Sequence, residues 1–203
     1  MIAIIDYGMG NLASVKNAFI KLGYSAFTTD KAEEILQARG VVLPGVGAFG
    51  DCMNNIRQLG LDQTIHQVVE RKTPFLGICL GFQVLFSESE ENGLHRGLDI
   101  LPGRVVRFEL PRQYKVPQMG WNQVESTPDS RLFKGIPPGS HFYFVHSYYV
   151  VPDDPSCIAG RSQYGQEFVC AAERGNLMAT QFHPEKSSRL GLQILKNFGE
   201  LMI

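Results

Sequence analysis

Short apolar runs alternate with amphipathic stretches through the first half of the chain, and this alternation constrains the fold more than any other feature. Each run is followed by a segment with helical spacing: IAIID by NLASVKNAFIKLG, YSAFTT by DKAEEILQ, GVVLPG by GAFGDCMNNIRQLGLDQTIHQVVERK, and FLGIC by LGFQVLFSE. Strands that alternate with helices favour a mostly parallel central sheet with flanking helices on both faces. The chain is therefore predicted to have an α/β fold with three layers.

The pattern changes after about residue 97. Six segments are then typical of strands with turn residues between them: GRVVRFEL, GWNQVES, HFYFVHSYYVV, CIAGRSQY, FVCAAERG and LMATQFHP. They predict an additional antiparallel strand region in the second half, and SRLGLQILKNFGELMI predicts a closing helix. Because no repeat, low-complexity segment or linker stands out, we expect residues 1–203 to form one domain.

Composition narrows the classes of protein that fit. Hydrophobic residues make up 44% of the chain, which suits a substantial core, and 19 basic against 20 acidic residues give no electrostatic reason to expect nucleic acid. The N-terminal MIAIID is too short for a signal peptide or a membrane span, so we expect a cytoplasmic protein. The four cysteines form no Cys-x-x-Cys pair, which argues against a disulfide framework and a zinc site. No metal or cofactor is predicted.

The stretch PFLGICLGFQVLF places a cysteine where an apolar strand is predicted to turn into a helix. Gly77 and Gly81 leave room for a tight turn, and Gly-x-Cys-x-Gly matches a nucleophile elbow with sulfur in place of oxygen. A helix N-terminus favours the thiolate, so Cys79 is a candidate nucleophile. The alternative is that Cys79 is a small buried hydrophobe, as free cysteines often are.

The segment QFHPEKS offers a general base for that cysteine. Pro184 biases His183 towards an extended backbone, in which residues two apart project to the same face. Glu185 could then accept the imidazole N–H, fix the tautomer and support the imidazolium form. A strand-ending turn with exposed charges is the alternative. Structural roles are expected for the other histidines: His66 in a surface helix, His95 in a polar loop, and His141 and His146 in a strand.

The loop LPGVGAFGD follows a predicted buried strand and could stabilise an oxyanion. Gly45 and Gly47 allow backbone N–H groups to point into a site without interference from a Cβ. Together with the N–H of Leu80, which follows the cysteine, they would form an oxyanion hole. By itself, a Pro-Gly-x-Gly loop is more often a simple turn.

A second motif, in DYGMGNLA, suggests a competing function. Gly8, Gly10 and Ala13 match the dinucleotide-binding pattern G-x-G-x-x-A, and Asp30 follows at about the expected distance. Asp6, however, puts a negative charge where a pyrophosphate would lie. A nucleotide-binding module is therefore the weaker alternative.

Taken together, GICLG, PGVGAFGD and FHPEKS resemble the motifs of the class I, or triad, glutamine amidotransferases. DYGMGNL, PQMGWNQV and FYFVHSYYV point, within that family, to the glutaminase subunits that serve a cyclase in histidine biosynthesis. The resemblance runs from Ile4 to the C-terminal helix. One departure is Phe82, where the family often has Met, and it affects packing near the elbow rather than the chemistry.

The resemblance implies a Cys-His-Glu triad of Cys79, His183 and Glu185 that hydrolyses L-glutamine to glutamate and ammonia through a γ-glutamyl thioester. It also implies positions for the oxyanion and for the substrate. The oxyanion positions are Gly45, Val46, Gly47 and Leu80, and the substrate positions are Gln83, Glu91, Ser147 and Tyr148. A solvated helix and its polar exit remain an alternative for Gln83 and Glu91.

The resemblance further implies a heterodimer with a TIM-barrel cyclase subunit, which uses the ammonia to form imidazole glycerol phosphate and aminoimidazole carboxamide ribotide. Asn11, Trp121 and Lys186 match positions at or near that interface, although a single Trp could equally belong to the core. A paralogous subunit that supplies ammonia to another acceptor, for example in sugar amidination, is an open alternative, because the acceptor chemistry lies on the partner.

Overall fold

A computed structural model describes residues 1–202 of the chain. The helices are α1 Leu12–Lys21, α2 Ala32–Leu36, α3 Phe49–Gln58, α4 Leu61–Glu70, α5 Leu80–Gln83 and α6 Ser188–Glu200. The strands are β1 Ile2–Ile5, β2 Ala26–Thr29, β3 Gly40–Gly45, β4 Phe75–Cys79, β5 Phe86–Ser89, β6 His95–Arg96, β7 Leu101–Arg107, β8 Gln118–Ser126, β9 Ser140–His146, β10 Tyr148–Pro152, β11 Ile158–Tyr164, β12 Gln166–Arg174 and β13 Leu177–Thr180. Short 3-10 turns occupy Pro155–Cys157 and Pro184–Lys186.

The strands form one branched sheet with a parallel half and a mostly antiparallel half, in which β5 and β7 still pair in parallel. Its main path runs β2-β1-β3-β4-β13-β12-β10-β7-β5-β6, and the strands from β2 to β13 on this path pair in parallel. Antiparallel pairing begins at β13–β12, and β11, β8 and β9 branch from β12. The α/β fold with a parallel centre and a later antiparallel region is confirmed.

Helices cover both faces of the parallel half, because successive side chains of a strand point to opposite faces. Ile4 and Val42 belong to one apolar cluster with residues of α1 and α6, such as Phe19 and Phe198. Their chain neighbours Ile5 and Leu43 belong to a second cluster with residues of α3 and α4. The three-layer arrangement follows directly from the near-continuous apolar composition of these strands.

Two predicted helices differ from the structure. The stretch after Cys79 is helical only over α5, and the chain then enters β5. Residues 80–85 are all buried, so their apolar spacing carries no sign of a polar face that would separate helix from strand. The long stretch after β3 is two helices, because Gly60 adopts a left-handed φ of +66° between α3 and α4.

One strand prediction and one loop prediction also differ. The segment HFYFVHSYYVV forms two strands, β9 and β10, with Ser147 between them. His95, expected in a polar loop, pairs with Ser89 in the short antiparallel ladder of β6 and β5. In both cases the strand assignment depends on which other strand the segment pairs with, and the sequence of a single segment does not reveal that partner.

The topology brings distant segments to one edge of the sheet. Gly45 at the end of β3 is in register with Cys79 at the end of β4. β13 pairs with the other side of β4, with Thr180 beside Ile78, so the chain that leaves β13 carries His183 towards Cys79. Among residues 1–202, no helix has the length and apolar character needed to cross a bilayer.

Candidate active site

The cysteine elbow has a strained backbone at the predicted turn from strand to helix. Cys79 has φ +57° and ψ −111°, which is a rare conformation for a residue with a Cβ. A Cβ added at Gly81 would clash with the Leu43 carbonyl oxygen, and one at Gly77 would lie 2.7 Å from the Gly81 oxygen. Both glycines are therefore required for the close approach of α5 to β3 and β4.

His183 and Glu185 form a buried pair. Nδ1 of His183 lies 2.8 Å from Oε1 of Glu185, and the two side chains are 3% and 1% exposed. The predicted contact is confirmed, and His183 is extended as predicted. The extended chain does not continue to Glu185, however, because Pro184–Lys186 is a 3-10 turn. Ser187 stabilises this turn, because its hydroxyl donates to the His183 carbonyl at 2.7 Å. The turn brings the Glu185 carboxylate closer to the His183 ring than an extended chain would.

The electrostatics of this pair favour an imidazolium. Burial lowers the pKa of His183, but its interactions with the Cys79 sulfur and the Glu185 carboxylate outweigh this effect and raise that pKa to about 10. With Nδ1–H donated to Glu185, the opposite ring nitrogen, Nε2, is buried and has no hydrogen-bond partner among residues 1–202. Nε2 is thus the atom available to take a proton from a thiol and return it to a leaving group.

Cys79 and His183 line one cavity of about 240 Å³ at the carboxyl edge of the parallel strands. The structure brings together most of the positions implied by the family resemblance. The lining residues are Val46, Gly47, Cys79, Leu80, Gln83, Glu91, Pro117, Val145, His146, Ser147, Tyr148 and His183. Two of the expected residues do not line the cavity: Glu185 lies behind His183, with which it pairs, and Gly45 lies beneath the residues that line it.

Gly45 is buried because the loop must pass close to the elbow. A Cβ there would lie 2.7 Å from both the Gly81 nitrogen and the Leu80 Cβ. Gly47 has φ +97°, a conformation that favours glycine, and the half-exposed Val46 between them faces the cavity mouth. The loop and Leu80 therefore flank the cysteine from two sides, as an oxyanion site requires.

Gln83 is buried, which rules out the solvated-helix alternative for this residue. Its Nε2 donates to the Tyr148 carbonyl and to Gln181 Oε1, both at 2.9 Å, and the side chain is 5% exposed. Since both N–H groups are used, its carbonyl oxygen is the atom left to face the cavity. Glu91 accepts the N–H of Phe49 at the start of α3 at 2.7 Å, and it lines the same cavity. Both residues present acceptors that suit the ammonium and amide groups of an amino acid.

Sequence reasoning missed two buried residues at the site. His146, expected to be structural, donates from Nδ1 to the Tyr148 carbonyl at 2.8 Å, and burial lowers its pKa to about 4. Its Nε2 is a buried acceptor that has no hydrogen-bond partner in the described part of the chain. Gln181 places Nε2 3.7 Å from the Cys79 sulfur. Gln181 stands two residues before His183, but bends at Gln181 and Phe182 interrupt the extended chain, so the spacing rule applied to His183 and Glu185 does not identify it and no local signal marks it.

The glycine turn that suggested nucleotide binding is occupied by its own aspartate. Asp6 Oδ1 accepts the N–H of Gly8 at 3.0 Å, and the carboxylates of Asp6 and Asp30 line the neighbouring cleft. An anion would meet two negative charges and a turn amide that already has a partner. The geometry therefore disfavours a pyrophosphate at this turn. Asn11 stands at the N-cap position of α1, although its side chain makes no cap hydrogen bond.

The three expected interface residues are at least partly accessible. Trp121 is 53% exposed on β8, which places it outside the core, and its ring makes an edge contact with Tyr143 at a centroid distance of 6.3 Å. Lys186 is exposed, and its Nζ lies 6.0 Å from the centroid of the same Tyr143 ring. Asn11 is half-buried at the start of α1, which contacts the Pro184–Lys186 turn.

Comparison with known proteins agrees with this geometry. The family described as glutamine amidotransferase class-I matches residues 3–201. The imidazole glycerol phosphate synthase subunit HisH of Moorella thermoacetica is 59% identical over 99% of this chain and 95% of its own length. The protein of the same description from Syntrophotalea carbinolica is 55% identical over 99% of this chain and all of its own length.

Solved structures of lower identity share the fold. A putative GMP synthase protein from Thermoplasma acidophilum superposes with a TM-score of 0.74 at 21% identity, covering 99% of this chain and 92% of that one. The PurLQS structure from Thermotoga maritima gives a TM-score of 0.76 at 17% identity, covering 100% and 98%.

Proposed function

The chain belongs to the class-I glutamine amidotransferases, and we propose that it hydrolyses L-glutamine at Cys79 and passes the ammonia to a cyclase subunit in histidine biosynthesis. One observation carries the assignment of the site: Cys79 at the elbow and His183, whose Nδ1 is paired with the buried Glu185, line the same small cavity. The pathway follows from the high identity to imidazole glycerol phosphate synthase subunits over nearly the whole chain. Residues 1–203 would act as one glutaminase domain.

In the first half-reaction, the Cys79 sulfur attacks the side-chain carbonyl carbon of glutamine while His183 Nε2 holds the thiol proton. The carbon–nitrogen bond then breaks, and the imidazolium gives that proton to the departing nitrogen, which leaves as ammonia. Glu185 fixes the tautomer with Nδ1–H towards the carboxylate, which leaves Nε2 as the nitrogen that exchanges protons with the reacting atoms. Backbone N–H groups of the Gly45–Gly47 loop and of Leu80 would stabilise the oxyanion.

In the second half-reaction, water attacks the γ-glutamyl thioester. His183 Nε2 takes a proton from the water as its oxygen bonds to the carbonyl carbon, and the sulfur leaves as thiolate. Glutamate is released and the imidazolium–thiolate pair is restored. The substrate itself would be held by the acceptors of Gln83 and Glu91 and by the Ser147–Tyr148 segment, all of which line the cavity.

The partner would be a TIM-barrel cyclase of the HisF type, docked on the face that carries Trp121 and Lys186. We define this docking face as Met119, Trp121, Tyr143 and Lys186. Met119 and Trp121 are 65% and 53% exposed on β8, and large exposed apolar side chains in one patch are typical of a protein interface.

The docking face is connected to the triad through the backbone of Tyr143. Its carbonyl accepts the N–H of His183 at 2.9 Å, and its N–H donates to Ser187 Oγ at 2.9 Å. A partner that moves the Tyr143 ring would therefore act on the turn that holds His183 and Glu185. Lys186→Ala tests this route: we expect the stimulation of glutamine hydrolysis by the cyclase to fall, and unchanged stimulation would count against it.

The overall assignment is tested by measuring glutamate released from glutamine by the chain alone and with the cyclase and its nucleotide ligand. Cys79→Ala should abolish release, whereas Cys52→Ala, which removes a fully buried thiol away from the cavity, should retain it. Glutamate release that does not change when the cyclase is added would support a glutaminase but indicate another acceptor for the ammonia. Activity that survives in Cys79→Ala would refute the assigned nucleophile.

A further inference from the structure

Two glutamine side chains connect the Ser147–Tyr148 segment to the candidate nucleophile through the protein interior. The buried amide chain, as we call it, consists of Gln83 and Gln181, which are 5% and 0% exposed. Gln83 Nε2 lies 2.9 Å from the Tyr148 carbonyl oxygen and 2.9 Å from Gln181 Oε1. Gln181 Nε2 lies 3.7 Å from the Cys79 sulfur.

The orientation of the two amides in the buried amide chain is determined at the Tyr148 end, where the acceptor is unambiguous. An amide oxygen and nitrogen can exchange places in a side chain, but a backbone carbonyl can only accept. The Tyr148 carbonyl already accepts from His146 Nδ1 at 2.8 Å, and it requires Gln83 to present its nitrogen as well. Gln83 then donates its second N–H to Gln181, so Gln181 must offer its oxygen to Gln83 and its nitrogen to Cys79.

We propose that Gln181 is a positioning residue for the reaction, holding the Cys79 sulfur with an amide N–H whose orientation Gln83 fixes. The inference rests on the proposed function, because it assumes that Cys79 is the nucleophile. A donor aimed at sulfur stabilises the thiolate over the thiol and restricts rotation of the side chain. Gln181 holds the sulfur as a donor, and His183, which lines the same cavity as Cys79, receives its proton.

The buried amide chain also explains why the protein interior contains these two amides. A buried amide without partners is destabilising, and apolar residues of similar size would fill the same space. Here the contacts of the two amides form a continuous connection from the Ser147–Tyr148 segment, which faces the substrate, to the Cys79 sulfur. Gln83 thus has two roles that share one geometry: its oxygen faces the cavity, and its nitrogen orients Gln181.

The test is the rate at which iodoacetamide alkylates Cys79 in the full-length protein, measured across pH and localised by peptide mass analysis. It needs neither glutamine nor the partner, so it reports the sulfur directly. Gln181→Met removes the N–H donor with little change in volume. We expect alkylation near pH 7 to slow about threefold to tenfold, as when one hydrogen bond to a charged group is weakened. The half-maximal rate should move to higher pH.

Gln181→Glu provides a second variant of the same shape that can still accept from Gln83 but presents an oxygen to the sulfur. It should slow alkylation more than Gln181→Met, because a carboxylate repels a thiolate. The matched control is Asn197→Leu, which removes a buried amide that donates to the Leu132 and Lys134 carbonyls at 2.9 Å, outside the cavity lining. It should change thermal stability without moving the pH profile.

The proposal is overturned if Gln181→Met and Gln181→Glu alkylate at Cys79 with the rate and pH dependence of the unmodified chain. It is equally overturned if Asn197→Leu shifts the profile as much as they do, since the effect would then be one of general stability. Its failure is separable from that of the proposed function. If glutamate release is lost in Cys79→Ala but the pH profile of alkylation is unchanged in both Gln181 variants, only the role of Gln181 is refuted. If that profile shifts in the Gln181 variants but the unmodified protein never releases glutamate, only the glutaminase assignment is refuted.

Discussion

Replacing Glu185 by glutamine tests the electrostatic part of the mechanism. The carboxylate and the imidazole are 2.8 Å apart and both almost fully buried, so solvent does little to weaken their interaction. A hydrogen bond to a charged group is worth about 1.5–3 kcal/mol, and one pKa unit corresponds to about 1.36 kcal/mol. Glu185→Gln should therefore lower the pKa of His183 by about one to two units from its value of about 10.

The sign of the effect on activity follows from the role of the imidazolium. His183 must carry a proton to donate to the departing ammonia, so turnover falls as pH rises through the pKa of His183. In Glu185→Gln, this alkaline fall should begin about one to two pH units earlier. The amide can also donate to Nδ1 and so impose the wrong tautomer, and we expect kcat to drop at least about a hundredfold.

The assay is glutamate release at saturating glutamine across pH, with the cyclase and its ligand present. Glu167→Gln is the matched control, because Glu167 pairs with Arg161 at 3.1 Å on the surface and is 61% exposed. It should leave both kcat and the alkaline fall unchanged. An unshifted alkaline fall in Glu185→Gln, with kcat within a few fold of the unmodified chain, would refute the reasoning.

Three further predictions concern packing, the docking face and the other thiols. Gly81→Ala should destabilise the chain by about 3 kcal/mol or more in urea unfolding, because the new Cβ would meet a backbone carbonyl oxygen; a change below about 1 kcal/mol would contradict the packing argument. Trp121→Ala should weaken cyclase binding about thirtyfold by calorimetry while leaving unfolding unchanged, and equal affinity would remove Trp121 from the interface. Burial raises the pKa of the Cys170 thiol and raises that of Cys52 to about 12, so peptide mapping near neutral pH should find Cys79 alkylated first.

The parallel half of the fold was predictable because its strands and helices carry their own signals. The apolar runs around Ile4 and Val42 are buried on both faces and alternate with amphipathic helices, which leaves few other arrangements. The segment after Cys79 was wrongly predicted for a physical reason: every residue from 80 to 85 is buried, and a fully buried segment has no polar face from which to read its period.

The site was predictable where its chemistry is local and not where it depends on pairing between strands. The elbow glycines and the His183–Glu185 contact are set by neighbours in sequence, and the structure contains both. Gln181 lies about 100 residues from its partner Cys79, and a lone glutamine gives no sign of such a partner. His146 contacts a carbonyl only two residues away, but its place at the cavity depends on how its strand packs, which its neighbours in sequence do not show. The meeting of Cys79 with His183 likewise follows from the β4–β13 pairing rather than from any motif.

The central claim is that the sulfur of Cys79 forms a covalent bond with the substrate. The most direct measurement is to quench the chain in acid during turnover with glutamine and the cyclase, and to determine the mass of each cysteine peptide. The account predicts the added mass of one glutamyl group on the peptide that contains Cys79, and its loss in Cys79→Ala together with glutamate release. A glutamyl group on another cysteine, or turnover that continues undiminished in Cys79→Ala, would contradict it.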